Sequence, residues 1–466
     1  MITYSIIQKS QLEGAHRLDA EYYQPEYLEI VQKLKTIPHK TLENISENLE
    51  SFGAYALTSQ IVWREEGIPF IVAENIKDGF IDLENVRCID ESVDEILKKS
   101  RVSNNQVLLS MSGSVGNAAV AYDISEKLNS NQDIVKITLK DNYSPFFISV
   151  FLNSKYGKKQ VLRLPVGSIQ QHIFLWQTKT LLIPDIEKNL QKEVETVYRQ
   201  GLSELKNSKL LYNQAKNLLL GELGLSSFAK AMEDEERFSI ANLSDVKSAG
   251  RMDAEYFHSK FRAVIDKVEN FKGRLDYLED LTTFINNGNQ PPYSENGEIK
   301  FFSQKWIKDR EIDYSFLKDE EIPKVAKSFF EDKRNEPYLV KKNDILYYSV
   351  GANLGFCHNY LESENIAIGS FINLIRADEK KINPIYLGFV LNSIIGRSQA
   401  EMNKSGLAQP YIYSKNLRKF KIPILPAATQ QKIAKLVRES HEARKRTKEL
   451  LGEAKRKVEE AIEKES

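Results

Sequence analysis

The chain repeats itself, and no other feature constrains its fold as tightly. Arg17-Leu18-Asp19-Ala20-Glu21-Tyr22-Tyr23 returns as Arg251-Met252-Asp253-Ala254-Glu255-Tyr256-Phe257. Ile76-Lys77-Asp78 with Ile81-Asp82 returns as Ile307-Lys308-Asp309 with Ile312-Asp313. Asn105-Gln106-Val107-Leu108-Leu109-Ser110 with Gly113 returns as Asn343-Asp344-Ile345-Leu346-Tyr347-Tyr348 with Gly351. Phe151-Leu152-Asn153-Ser154 with Gly157 returns as Val390-Leu391-Asn392-Ser393 with Gly396, and Gly167 with Ile183-Pro184 returns as Gly406 with Ile422-Pro423. Each second copy follows its first by about 230–240 residues, and the blocks keep their order. Chance matches among short words would not keep order, so the chain carries two copies of one architecture.

Each copy has two textures. Short β-branched and aromatic runs at 68–73, 106–110, 133–139 and 179–183 are separated by turn residues and read as strands. Residues 144–153 and 383–392, opening Ser-Pro and Asn-Pro, read as short helices among them. From 187 to about 220 there is no proline, and Val194, Val197, Gly201, Leu205, Leu211, Ala215 and Leu218 fall three or four apart. After Pro426 the same spacing joins Ile433, Leu436, Ser440, Ala443, Thr447, Leu450, Ala454 and Ala461. These stretches predict helices of roughly 50 Å each, whose stripes can be covered by packing on each other as an antiparallel coiled coil. The expected fold is α+β: two tandem β-rich globular domains joined by two long antiparallel helices, with pseudo-two-fold symmetry. The expected boundaries are a first domain at 1–186, a helical spacer and linker at 187–237, a second domain at 238–425 and a second spacer at 426–466.

Composition excludes several functions. The 466 residues hold 65 Lys+Arg against 65 Asp+Glu, so a simple polycationic nucleic-acid binder is ruled out, though local basic patches are not. Cys88 and Cys357 are the only cysteines, too few for a disulfide framework or thiolate zinc cluster. The six histidines are scattered without metal-ligand spacing. No apolar run approaches the ~20 residues of a membrane span, and the first residues lack a signal-peptide pattern. The expectation is a soluble, cytoplasmic protein.

Several strings resemble catalytic signatures. Gln290-Pro291-Pro292-Tyr293 and Asn383-Pro384-Ile385-Tyr386 each miss one position of the amino-methyltransferase motif, and no Gly-rich strand-to-helix turn accompanies them. Pro184-Asp185 with Glu204-Leu205-Lys206 matches a nuclease-type string, but its second pair falls midway along a helix. The expectation is no catalytic, metal or cofactor site. A stand-alone methyltransferase or nuclease, and a protein–protein scaffold that never touches DNA, are the alternatives.

Polar, aromatic-rich loops occupy matching places in the two copies. The first copy offers Tyr55, Thr58, Ser59, Gln60 and Arg64; Ser112, Ser114 and Asn117; and Ser168, Gln170, Gln171 and His172. The second offers Asn287, Asn289, Gln290 and Tyr293; Lys305, Trp306, Lys308 and Arg310; Asn353; and Lys404, Gln409, Tyr411 and Tyr413. Asn, Gln, Arg and Lys can read base edges bidentately, while hydroxyls and glycine-flanked amides suit phosphates. Turn chemistry alone also favours such residues. Matching positions with differing letters suit one scaffold reading two sequences.

The duplicated Arg-x-Asp-Ala-Glu-Tyr block, the segments 113–116 and 351–355, the Ile-Pro pairs before the helices and Gln430-Gln431-Lys432 resemble the DNA-specificity (S) subunit of Type I restriction–modification enzymes. The resemblance implies a non-catalytic reader of double-stranded DNA, each domain taking one half of a bipartite asymmetric site and the helices fixing the spacing. It further implies partners: modification subunits that methylate adenine with S-adenosylmethionine, and restriction subunits that use ATP and Mg.

Overall fold

The computed structural model describes residues 4–10, 12, 17–52, 61–84, 86–166, 171–226, 240–308, 311–406 and 408–465. The chain divides into two compact units, Met1–Asn207 with Ala443–Ser466, and Ser208–Glu442. Each long helix contributes one stretch to each unit.

In the first unit the strands are β1 (His39–Thr41), β2 (Ser46–Glu50), β3 (Ile68–Ile71), β4 (Cys88–Ile89), β5 (Val107–Ser110), β6 (Ala118–Val120), β7 (Asn129–Ser130), β8 (Ile134–Leu139) and β9 (Leu182–Pro184). Strands β2-β8-β5-β6 form an antiparallel sheet. A second sheet runs β4-β3-β7, with β3 parallel to β7, and β1 pairs with β9. Every residue of β5 is buried because the sheet is covered on both faces: Val107 and Leu109 meet one core, Leu108 another.

Its helices include α1 (Pro25–Thr36), α2 (Pro145–Asn153), α3 (Lys155–Leu162), α4 (Leu175–Thr178) and the long α5 (Lys188–Glu222). Helix α2 starts where Ser144 Oγ accepts from the Phe147 amide, and all of 146–152 is buried, as an apolar helix requires. Its last residue, Asn153, accepts from the Ala118 amide and donates to the Ala118 carbonyl, locking the helix to edge strand β6.

The second unit repeats this plan. Its strands are β10 (Arg274–Tyr277), β11 (Thr282–Asn287), β12 (Ile299–Phe302), a small hairpin of β13 (Ile307–Lys308) and β14 (Glu311–Ile312), β15 (Lys324–Val325), β16 (Ile345–Tyr348), β17 (Cys357–Asn359), β18 (Ile366–Ile368), β19 (Ile372–Ala377) and β20 (Lys421–Ile424). The sheets run β11-β19-β16-β17, β15-β12-β18 and β10-β20, the same three orders. Helices α6 (Ser259–Glu269), α7 (Pro384–Asn392), α8 (Ile394–Asn403) and α9 (Ser414–Leu417) precede the long α10 (Ala427–Glu465). Asn383 caps α7, and Asn392 locks it to Cys357 as Asn153 locks α2 to Ala118.

Both long helices open with one device. Gln191 and Gln430 each donate to the carbonyl five residues back, Ile186 and Leu425, at 2.8 Å. In the first unit α5 and α10 run antiparallel, with Glu193 meeting Lys457 at 3.3 Å and Glu204 meeting Arg446 at 3.1 Å. In the second, Ser208 and Ser440 join at 3.1 Å, and Ala215 and Leu219 share a core with Ile433, Ala434 and Val437. Val194, Gly201, Leu205, Ala215, Ile433, Ser440, Ala443, Thr447 and Ala454 are buried as their spacing in sequence predicts, but the seam departs from that spacing elsewhere. It passes through Tyr198, Ser208, Val437, Leu451, Val458 and Ile462, while Val197, Leu211, Leu218, Leu436, Leu450 and Ala461 sit half-covered beside it. A 4-3 heptad admits a tyrosine and a serine that apolarity alone passes over.

The strand expected at 179–183 also starts late, at Leu182. Thr178 and Thr180 bond back to the Leu175 and Gln177 carbonyls and hold a turn there instead. Among the described residues no helix is long and apolar enough to cross a membrane.

Candidate nucleic-acid interface

At one end of each four-stranded sheet, two loops are tied together by peptide groups. The first is the hairpin after β5 or β16. In the first unit the Gly116 amide donates to the Ser110 carbonyl and the Ser110 amide to Asn117, both at 2.9 Å. In the second, Gly355 donates to Tyr348 and Tyr348 to Phe356, again at 2.9 Å. The extra residue of 351–355 is absorbed between the flanking glycines, since Gly113, Gly116, Gly351 and Gly355 all have positive φ. A Cβ on Gly116 would lie 2.8 Å from Val161, and one on Gly355 2.9 Å from Ala400. A cation from the following helix braces each hairpin: Lys158 Nζ reaches the Val115 carbonyl at 3.1 Å, and Arg397 reaches Leu354 at 2.9 Å. Burial pushes the Lys158 amine down to about 8.

The second loop follows α3 or α8 and closes on itself as a clasp. Val166 and His172 exchange amide bonds at 3.0 and 3.3 Å, as Ser405 and Tyr411 do at 2.9 and 2.8 Å. The next residue then ties the clasp to the sheet, Ile173 to Met111 at 3.0 Å and Ile412 to Ser349 at 2.9 Å. Ser112 therefore bridges His172, and Val350 bridges Tyr411.

The side chains on this shared frame differ. Tyr411 and Tyr413 pack edge to face at 4.7 Å, the Tyr413 hydroxyl donating to Tyr411 at 3.1 Å, with Lys415 over the Tyr413 ring. That hydrogen bond and the neighbouring phenol hold the Tyr411 hydroxyl above its ordinary pKa, so it stays neutral. In the first unit His172 and Phe174 take these places, edge to face at 5.1 Å, followed by exposed Trp176.

Further candidates converge in the second unit. Ser414 Oγ lies 2.6 Å from both Asn287 and Asn373, and Asn287 donates to the Ser370 carbonyl at 3.1 Å. One hydroxyl hydrogen cannot serve two amide oxygens, so one asparagine donates to Ser414. Gln304 links the Val350 and Phe371 carbonyls, bringing the 303–306 segment to the same rim, where Phe371 is exposed. Lys305 lies over the Trp306 ring, Tyr293 packs on Phe301, and Asn289 meets Asn335 at 3.3 Å. Gln409 is exposed on the clasp, Lys404 pairs with Glu401, Gln290 turns with φ of 45°, and the Asn353 carbonyl accepts from Phe356.

Other candidates lie elsewhere or serve the interior. Arg64 pairs with Asp90 beside β4. Asn117 donates to the Ile76 carbonyl and accepts from Lys158, so its amide is occupied internally. Ser112 is buried, while Ser114 and Gln171 are exposed. Tyr55, Thr58, Ser59, Gln60, Ser168, Gln170 and Arg310 lie outside the described residues, and Lys308 is described only by its backbone. Phe174, Trp176, Phe371, Ser414 and Lys415 were not singled out by sequence, although projecting Tyr413 through the repeat points to Phe174.

The catalytic look-alikes separate. Asn383 is a helix cap, and Tyr386 is buried with its hydroxyl on the Pro423 carbonyl at 2.7 Å. Asp185 pairs with Lys40, Glu204 with Arg446, and Lys206 with Asp123. Among the described residues, the carboxylates close enough to hold a cation are Glu91, Asp94 and Glu95, and Lys127 and Arg101 already neutralise them.

Two copies of one mixed helix-and-sheet scaffold thus each present an aromatic and polar rim. Residues 277–449 match the Type I restriction modification DNA specificity domain. The chain is also 28% identical over 180 residues to the Type I restriction enzyme EcoBI specificity subunit of Escherichia coli, a match covering 37% of this chain and 36% of that relative. The chain thus spans about a third of that relative's length. Among solved structures it is similar to a Type I restriction–modification S subunit from M. genitalium, with TM-score 0.44, 15% identity, and 92% and 95% of the two chains covered. The HsdS subunit from Thermoanaerobacter tengcongensis aligns over 92% and 95% with TM-score 0.29 and 13% identity.

Proposed function

We propose that this chain is the sequence-reading, non-catalytic subunit of a Type I restriction–modification assembly in the cytoplasm. Each unit reads one half of a bipartite asymmetric site in double-stranded DNA. Adenine methylation comes from modification subunits carrying S-adenosylmethionine, and cleavage from restriction subunits using ATP and Mg. One observation carries the reading: the same peptide bonds frame the rim in both units, while the side chains on the frame differ. A fixed frame with variable letters is what two specificities from one fold need, because sequence is read by side-chain contacts to base edges. The separated carboxylates support a chain without chemistry of its own.

Exchange of residues 238–425 for another recognition domain tests this directly. The expected methylome keeps one half-site and changes the other. A site altered in both halves, or turnover by the purified chain alone with S-adenosylmethionine or magnesium, overturns it. Binding should weaken steeply with salt, as phosphate contacts require.

A further inference from the structure

The Arg-x-Asp block has a task that its role as a repeat marker does not account for. Arg17 grips Asp19 with two parallel bonds, Nε to Oδ1 at 2.8 Å and a terminal nitrogen to Oδ2 at 2.6 Å. Arg251 grips Asp253 the same way at 2.7 and 2.8 Å. The rest of each guanidinium is turned onto the clasp. Arg17 donates to the Pro165 carbonyl at 3.0 Å and to Leu164 at 2.7 Å, and Arg251 donates to Lys404 at 3.0 Å. Pro165 and Lys404 occupy equivalent places, each immediately before the residue that closes its clasp. The guanidinium also stacks on the block's own tyrosine, Arg17 on Tyr22 at 4.6 Å and Arg251 on Tyr256 at 5.1 Å.

Burial of the block's middle residue does not anchor it. Leu18 is 86% exposed and Met252 87%, so within Arg-x-Asp it is the guanidinium that reaches the clasp. The tyrosines that follow anchor the first segment separately, Tyr23 by burial and Tyr22 through Arg163 at 2.8 Å. A planar guanidinium can hold a carboxylate with one edge and carbonyls with another, which an ammonium cannot do.

We propose that Arg17 and Arg251 are positioning residues, each holding its own clasp in the shape that sets base preference in its own unit. The Asp partner aims the fork, the fork fixes the start of the clasp, and the clasp carries His172 or Tyr411 to the rim. Fixing the loop beforehand removes an ordering cost that binding would otherwise bear. The consequence for DNA rests on the function proposed above, whereas the fixing of the clasp does not.

The test uses the full chain assembled with modification subunits, as wild type, R251A, R251K and D253N. Amide hydrogen exchange reads the clasp without DNA. Exchange at Ser405, Tyr411 and Ile412 should quicken about tenfold or more in each variant, with Val166, His172 and Ile173 unchanged. Site-specific methylation reads the consequence: base preference should relax in the second unit's half-site and stay intact in the first. R251K should fail to rescue, since it keeps the charge and loses the fork. Unchanged exchange in the variants, or equal quickening in both units, overturns the positioning role. Quickened exchange with unaltered half-sites overturns the link to specificity. Absence of site-specific methylation with wild-type chain overturns the DNA reading, while exchange still judges the fork. If R251A does not fold, R251K and D253N distinguish the same outcomes.

Discussion

The two units are one backbone plan filled with different side chains, and the substitutions show which parts of the plan are fixed. At the centre of the four-stranded sheets, Lys136 faces Leu108 while its equivalent Leu374 faces Leu346. Both are fully buried, yet one is a lysine whose only hydrogen-bond partner among the described residues is Ser130 Oγ at 3.5 Å. Under the hairpins Lys158 stands where the second unit has Arg397. At the clasp a histidine stands opposite a tyrosine. The glycines of the hairpin, the asparagines locking α2 and α7, and the Arg-Asp forks stay the same. Bonds that shape the backbone repeat even where the residue changes, as at the hairpin brace (Lys158, Arg397) and the helix cap (Ser144, Asn383), and side chains that fill space or face outward vary freely.

The glycines should break the comparison most strongly. Gly116→Val and Gly355→Val each force a branched side chain into a left-handed backbone against a neighbour, which should cost about 4 kcal/mol. Denaturant titration of both variants checks this. A much smaller loss for Gly355→Val would mean that the longer hairpin yields.

Lys136→Leu should act the other way. Burial pushes the Lys136 amine down to about 8, outweighing the opposing charge of Glu50. The unfolded chain holds that proton up to about pH 10.4, so between these values it binds more protons and stability rises with pH. Below pH 8 the penalty is at its full size, about 3 kcal/mol. Lys136→Leu should therefore stabilise by about that much at pH 7, with a gain that fades toward pH 10. Thermal unfolding across this range should separate the variant from wild type only on the neutral side.

The helix caps should be nearly matched. Ser144→Ala and Asn383→Ala each remove the side chain that receives the first amides of α2 or α7, at a cost of about 1 kcal/mol. The loss should be larger for Asn383, which accepts two amides. Smallest on stability are Phe174→Ala and Tyr413→Ala, within about 0.5 kcal/mol in unfolding, because both residues are nearly half exposed at the rim. Their effect should fall instead on DNA affinity, each in its own half-site, read by binding at fixed salt.

The duplicated words were enough to read the duplicated topology, because Asn153, Gly116 and Gln191 act through local bonds that their copies reproduce. The buried seam was less legible, since Tyr198 and Ser208 enter it by position rather than by apolarity. The rim was legible only in part. In sequence, an asparagine that satisfies an internal carbonyl, like Asn117, looks the same as one facing solvent. Arg64 looks like a base reader but is paired with Asp90. Phe371 gave no signal, because its exposure depends on the turn that carries it between β18 and β19.

The clasp is closed by peptide groups of Val166 with His172 and of Ser405 with Tyr411, and gripped at a carbonyl, so its closure makes no demand on the side chains of those residues. Mutation or recombination can rewrite those letters while the frame endures. A lineage of such chains could therefore acquire new vocabularies quickly, with little selection against the intermediates.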